Sequence, residues 1–381
     1  MKIVNDAVAG LAAGACAQVT AGHPSRHAAA PAAADKGSRA ARIRWCKGMP
    51  EHNIGPITAA RHGAAIISRA DRAHIVVSGA DRKTYLNGLL TNDTASLAAG
   101  QGVYAAYLTA QGRMIADLWI YELGDVILLA LHKDAKDTVL AKLDQFVFSE
   151  DVQLGDVTGT FDSVAVVGPR SSAAVSGALE TITQAELDAF PENGGRRAQF
   201  RGQPAIVVRI SDPGAAGFDV LVPREQRAAL DAALEGAGAA VLDDETAEAL
   251  RIEGGVPKWH HDMDEETIPL EAGIEGRAIS LTKGCYVGQE VIIRVLHRGH
   301  GRVVRKLVGL TFDGPSVPAP ATPVTAPDGR DIGRVTSSVM SPTLGVPLAL
   351  AYVHRDFVDP GTAVTVADAK ARVTPLPFVG Q

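Results

Sequence analysis

Beyond Arg302 the chain loses helical periodicity and keeps only short apolar runs, Val308–Phe312, Asp331–Val339, Leu348–Val353 and Thr362–Val366, separated by proline and glycine. Short strands punctuated by turn residues predict a small all-β barrel. The stretch Pro315–Pro323 reads as a loop within it, because proline brings no donor to a sheet ladder. With residues 301–381 closed off in this way, the rest of a 381-residue chain must organise its own cores, and clefts between domains follow.

Residues 1–55 are alanine-rich, carry scattered cations such as Arg39, Arg42, Arg44 and Lys47, and show no sustained apolar period. They read as a dispensable, disordered N-terminal extension. Order is expected from near Ala73: a strand at His74–Ser78, then Asp81 capping a helix that carries Tyr85, Leu86, Leu89 and Leu90. Strands at Val103–Thr109, Arg113–Tyr121 and Val126–Leu131 follow, and Asp134 is placed to cap a helix with Val139, Leu140, Leu143, Phe146 and Val147 on one face. The same grammar returns as strand Ser163–Gly168, helix Ser171–Leu179, strands Ala205–Ile210 and Gly217–Val222, and helix Arg224–Leu234. The fold class is therefore α+β, with two intertwined, related lobes over residues 56–300. One lobe takes roughly 56–155 with 240–300, and the other takes 156–239.

A formal charge of −6 excludes a globally polycationic nucleic-acid binder, and no direct nucleic-acid partner is expected. Three cysteines, Cys16, Cys46 and Cys285, with no CxxC pair, supply neither a disulfide framework nor a cysteine-rich metal centre. A reducing cytoplasm fits that usage. No run reaches the roughly 20 apolar residues of a bilayer-spanning helix. Ala7–Ala17 imitates a signal peptide only faintly, being rich in alanine and glycine rather than leucine. A monomer without membrane association is expected.

The most informative stretch is Lys283-Gly284-Cys285-Tyr286-Val287-Gly288-Gln289-Glu290. Two glycines frame a lone cysteine in a tight loop, where a nearby ammonium and free N–H groups favour a thiolate. Read from residue type alone, the same cysteine fits an inert packed thiol as well. The eight residues resemble the KGCYxGQE hallmark of the YgfZ family of folate-binding proteins, relatives of the glycine-cleavage T-protein that include mitochondrial iron–sulfur assembly members. Leu250-Arg251-Ile252-Glu253-Gly254-Gly255-Val256-Pro257 is similar to the family's R-x-E-x-G-x-P segment. Leu89–Asp93, Gln111-Gly112-Arg113, Ser341-Pro342 and Pro377-Phe378 fit the same frame, so the resemblance covers roughly residues 70–381.

The resemblance implies a tetrahydrofolate, or a one-carbon derivative of it, bound in an opening between the lobes. It implies an accessory role in iron–sulfur assembly or repair, and through it in tRNA modification by radical enzymes, with assembly or recipient proteins as partners. The alternatives are an aminomethyl- or methyl-transferase of the T-protein type and a non-catalytic folate-binding module. Cys285, Asp93 and Lys283 are the expected catalytic residues. Asp93, Asp219, Arg251, Trp259, Tyr286 and Gln289 are the expected folate contacts. Asp93 matches an aspartate near the transfer atoms, although Thr91-Asn92-Asp93 also reads as an ordinary helix-exit turn. Asp219 matches an acidic residue that engages the pterin, where relatives carry the longer glutamate. Arg251 could hold the anionic tail or brace the pocket, with Glu253 as its candidate partner.

Trp259-His260-His261 keeps the aromatic of the relatives but places histidine where they have glycine. No metal is expected there, because adjacent histidines diverge on regular structure and no HxxxH spacing occurs. Between Arg294 and Lys306 lie five cations, His297 and His300, with no acid. That strip reads as an interdomain linker, with the folate tail as a secondary ligand.

Overall fold

The computed structural model describes residues 54–297 and 302–380. The expected extension over residues 1–55 lies almost wholly outside the described residues, as do Arg298 and His300 of the basic strip. Two mixed α+β lobes precede a closed six-stranded β-barrel, in agreement with the expected α+β class.

The first sheet is antiparallel and orders its strands Gly102–Leu108, Met114–Glu122, Val126–His132, Arg72–Ser78 and Gln153–Asp156. The second orders Ala240–Val241, Ala65–Ser68, Phe161–Val167, Gly217–Pro223, Gln203–Ile210 and Gly195–Phe200. Ala65–Ser68 precedes every strand of the first sheet yet pairs with Phe161–Val167 of the second, and this crossing intertwines the lobes. The barrel closes through Arg305–Phe312, Pro347–His354, Asp331–Met340, Pro323–Thr325, Ala363–Val366 and Ala369–Thr374. Pro323 opens its strand, a position where a missing N–H breaks no ladder.

Met114–Glu122 is buried at all nine positions. Alternation therefore does not separate a wet face from a dry one; it separates two buried faces. Met114, Ala116, Leu118 and Ile120 on one face and Ile115, Trp119 and Tyr121 on the other all belong to the main apolar core, and Asp117 and Trp119 also line a central cavity.

Several local expectations change. Order starts before Ala73, with helix Ile54–His62 and strand Ala65–Ser68. The helix has little amphipathic signal, and tertiary contact holds it: Ile57 and Ala60 are buried in the core. Asp81 does stand at the N-cap of helix Arg82–Leu89, but its side chain makes no capping hydrogen bond; the carboxylate instead accepts the Asp151 N–H at 2.9 Å and ties two loops together. Asp134 does not cap either, because a short 3-10 turn, Lys133–Ala135, precedes the helix Lys136–Asp144, and the His132 ring accepts from Asp134 N–H. The segment expected as one helix from Arg224 is likewise a 3-10 turn followed by helix Arg227–Gly236. Asp244–Glu253, unforeseen as an element, is a helix N-capped by Asp243, whose carboxylate accepts Thr246 N–H at 2.8 Å.

Candidate functional site

A cavity of about 470 Å³ opens between the lobes, with Arg69, Arg72, Asp117, Trp119, Arg251 and Trp259 among its walls. Behind its wall lies a buried charge network, in which Asp219, an expected folate contact, pairs with Arg69 and is not among the residues lining the cavity. Arg69 Nη2 donates to Asp212 Oδ2 at 2.7 Å, Arg69 Nε sits 3.1 Å from Asp219 Oδ1, and Arg72 Nη2 reaches Asp212 Oδ2 at 2.5 Å. The Arg72 guanidinium also lies 4.2 Å above the Trp119 ring, where the ring quadrupole attracts it.

The two carboxylates titrate apart. Burial pushes Asp219 up, to about 6; Arg69 opposes the shift and the neighbouring Asp212 charge adds to it. Asp212 is held below the ordinary carboxylate range, since Arg69 and Arg72 together outweigh its desolvation. A carboxyl with a raised folded pKa stabilises the fold below its unfolded value near 3.8, and that contribution disappears as pH rises through about 6. Asp219→Asn is therefore expected to gain on the parent protein as pH rises. The difference in Tm should open between pH 4 and pH 7 to a few degrees, roughly 2–5 °C, and then stay flat. Thermal melts of both proteins over pH 4–8 check this, and a gap that closes over that range refutes it.

Arg251 and Trp259 do meet at the cavity. Arg251 is nevertheless committed to the protein: Nη2 and Nε grip Glu248 at 2.5 and 3.0 Å, Nη1 donates to Asp262 at 2.7 Å, and Nη2 also reaches Ser337 Oγ at 2.9 Å. Of its two expected roles, the geometry matches bracing. Glu253 is not its partner, because residues two apart on a helix do not face each other. Glu253 instead receives Arg61, Ser341 and Thr343. Trp259 is buried, and its indole N–H has no hydrogen-bond partner among the described residues.

Asp93 stands apart from this wall, joined to it by a chain of contacts. Asp117 accepts from Tyr104 Oη at 2.9 Å, the Tyr104 ring packs 4.8 Å from Trp119, and Arg277 caps Tyr104 at 4.7 Å. Asn92 Nδ2 then donates to the carbonyls of Tyr104 and Arg277 at 2.8 and 2.9 Å. Next to it, Asp93 is partly exposed and accepts the N–H groups of Ala95 and Ser96 at 3.0 and 3.2 Å. Burial alone would raise its pKa, but the Ser96 and Ala95 hydrogen bonds and the Lys283 charge hold it below the usual range. Asp93 is thus an anion at neutral pH, fixed by main-chain donors.

Lys283 is what sets that loop. Its ammonium donates to the carbonyls of Asn87, Leu90 and Asn92 at 2.5, 2.7 and 3.0 Å, closing the C-terminal end of helix Arg82–Leu89. Burial lowers its pKa to about 8 against the pull of Asp93. All three donors are engaged, so Lys283 is a positioning residue rather than a catalytic one. Cys285 is exposed rather than packed, and it is not among the residues lining the central cavity. Tyr286 is buried beneath the Lys283 ammonium, 5.2 Å from ring centre to nitrogen, and burial pushes its hydroxyl up to about 12. Gln289 begins the helix Gln289–His297 and does not line the cavity.

Of the two glycines expected to shape the loop, only Gly288 is required. Its φ is +82°, and a Cβ there would lie 2.5 Å from the Thr109 carbonyl, whereas a Cβ on Gly284 would meet nothing. Gly288 thereby seats the cysteine loop on the Thr109–Gly112 turn. The basic strip separates on folding: Arg305 pairs with Glu271 at 3.1 Å, and Lys306 lines a second cavity shared with the barrel.

Arg69, Arg72, Asp117, Trp119 and Asp212 escaped the sequence reading. Asp117 carried a usable signal, as the one charge inside the apolar run Met114–Tyr121. Asp212, in a Ser-Asp-Pro-Gly turn, carried none.

Residues 41–283 match the family described as the GCVT N-terminal domain, and residues 305–379 match the glycine cleavage T-protein C-terminal barrel domain. A protein of Streptomyces avermitilis named aminomethyltransferase is 31% identical over 331 residues, 84% of this chain and 87% of its own length. One of Rubrobacter xylanophilus with the same name is 31% identical over 322 residues, 84% of each chain. The crystal structure of the glycine cleavage system aminomethyltransferase T from Bartonella henselae shares the fold, with a TM-score of 0.77 over 86% of this chain and 89% of that one, at 22% identity.

Proposed function

This chain belongs to the glycine-cleavage T-protein family, and from that premise we propose that it binds a reduced folate in the central cavity and transfers a one-carbon unit of the aminomethyl type. The observation that carries the reading is the chemistry of the cavity wall. Trp119 and Trp259 offer aromatic faces, and among the described residues the Trp259 indole N–H is a buried donor without a partner and Asp212 and Arg72 keep one buried polar atom each unpaired. An amino-substituted heterocycle presents donors and acceptors that such a wall can satisfy. Trp119, Trp259 and the Arg72–Asp212 pair would hold the folate, with Arg251 bracing the wall behind them. The bound folate supplies the nitrogen that takes up the one-carbon unit. Asp93, an oriented anion joined to the cavity wall through Asn92 and Tyr104, would accept a hydrogen bond from the reacting amine or steady the positive charge that develops on it.

Calorimetry with tetrahydrofolate tests this. Binding is expected for the parent chain, and Trp119→Ala should weaken it by about tenfold or more, as loss of an aromatic wall does. No heat at millimolar tetrahydrofolate sinks the proposal.

A second reading is favoured by one feature, the exposed thiol on the Lys283–Glu290 loop. In it the chain is of the YgfZ branch, and the folate site serves iron–sulfur assembly or repair through Cys285. Complementation of a YgfZ-deficient cell, scored by a radical enzyme that needs a [4Fe–4S] cluster, separates the readings. Rescue by the parent chain and failure of Cys285→Ala, at unchanged Tm, support the second; rescue by both proteins or by neither removes its basis.

A further inference from the structure

We propose that His132, Asp134 and His260 bind a first-row divalent metal ion, of the zinc class, at the rim of the central cavity. His132 ends the strand Val126–His132 and lines the cavity, Asp134 lies in the 3-10 turn that follows, and His260 comes from the loop behind Trp259. One ligand atom of each lies within 4.8 Å of the other two. Asp134 Oδ2 is 3.6 Å from His132 Nδ1 and 3.8 Å from His260 Nδ1. These separations exceed ordinary N–H···O hydrogen bonds. They come near the about 3.3 Å between neighbouring ligands of a tetrahedral ion with bonds of about 2.0–2.1 Å. Two imidazoles and a carboxylate are a donor set that suits zinc and its neighbours, and three protein donors leave a position for water or an anionic group.

The His–Asp pair is not by itself the evidence. His354 and Asp356 start a second 3-10 turn in the same way, with Nδ1 to Oδ2 at 3.5 Å. In both turns the histidine Nδ1 receives only a long 3.4 Å contact from the aspartate N–H. What separates the two is His260. It holds φ at +60°, a left-handed conformation that residues with a Cβ rarely adopt, and its ring faces Asp134 and His132. Its other nitrogen, Nε2, sits 3.2 Å from Glu265 Oε1. A carboxylate on the far nitrogen is the device that orients a metal-bound imidazole and raises its basicity. Two cations that face His132 are paired elsewhere: Lys258 with Asp71 at 3.1 Å, and Arg72 with Asp212 at 2.5 Å. Spacing rules missed the group because its histidines come from different elements, and the adjacent His261 points away to line a groove against the barrel.

The test is a cobalt(II) titration of the full-length, untagged, chelator-stripped chain, followed in the visible spectrum, with zinc(II) as competitor. One equivalent of cobalt with absorption typical of low coordination number, displaced by zinc, is expected. His260→Gly suits the left-handed backbone and so preserves the fold; it should abolish that equivalent or weaken it at least about tenfold. Asp134→Asn should act alike, and Glu265→Gln should weaken binding by about tenfold. His354→Ala should leave the titration unchanged. Equal cobalt stoichiometry and affinity in His260→Gly and the parent chain overturns the proposal, as does no binding by the parent at millimolar cobalt.

Discussion

Asp93→Asn is expected to lower the rate of tetrahydrofolate-dependent one-carbon transfer by about 10²–10⁴, the range that loss of a positioned acid–base group produces. The fold should survive, because an asparagine Oδ1 can still accept the N–H groups of Ala95 and Ser96 that Asp93 Oδ1 accepts now. The Lys283 ammonium, held by three carbonyls, keeps the loop in place whatever stands at position 93. A Tm within about 2 °C of the parent should therefore accompany the rate loss. Tetrahydrofolate affinity should change by less than about threefold, since the residue stands outside the cavity wall. The pH profile carries a further expectation. Asp93 titrates below the ordinary carboxylate range, so its ionisation should not shape the rate between pH 5 and pH 9. Equal rates in mutant and parent would remove Asp93 from the chemistry and leave the turn reading of Thr91-Asn92-Asp93 standing.

The largest stability effect should come from Glu253→Ala. The Glu253 side chain is fully buried and joins three parts of the molecule. Oε2 accepts Arg61 Nη2 at 2.8 Å from the first helix, and Thr343 Oγ1 at 2.7 Å. Oε1 accepts Ser341 Oγ at 2.5 Å and Thr343 N–H at 3.0 Å, both from the barrel. Its main-chain carbonyl receives Phe378 and Val379 at 3.0 and 3.1 Å, so the C-terminal segment docks on the same residue. Truncation leaves a guanidinium and several donors unmatched in the interior, a loss of about 3–5 kcal/mol. For a chain of this size that corresponds to a Tm drop of roughly 5–15 °C. Calorimetry should also show the barrel beginning to unfold separately from the lobes. Glu253→Gln keeps the acceptor for Ser341 and Thr343 and should lose about half as much. A loss under about 1 kcal/mol in Glu253→Ala would show that the three parts do not depend on this carboxylate.

The lobes and barrel were legible because their signals are local. Apolar runs separated by turn residues from Val103 to Leu131, the repeat of the strand–helix grammar from Ser163, and the loss of helical period beyond Arg302 each depend on a few neighbouring residues. Helix Ile54–His62 was not legible, because its stability comes from what it packs against. Asp81 and Asp134 misled for a related reason. Each has the right residue type for a cap, but the Asp151 N–H claims one and a 3-10 turn displaces the other.

The candidate site divides along the same line. The residue types of the Lys283–Glu290 loop and the carboxylate at Asp93 could be read directly, because a rare local motif carries them. Which groups share a cavity could not be read, and neither could which charges are already paired. Arg251 is taken up by Glu248 and Asp262, while Asp219 faces Arg69 from a strand 150 residues away in sequence. Residue identity and short-range spacing determine what a side chain can do. Burial and the company of distant charges decide which of those capacities remains free, and both exist only after strands such as Ala65–Ser68 have crossed from one lobe into the other.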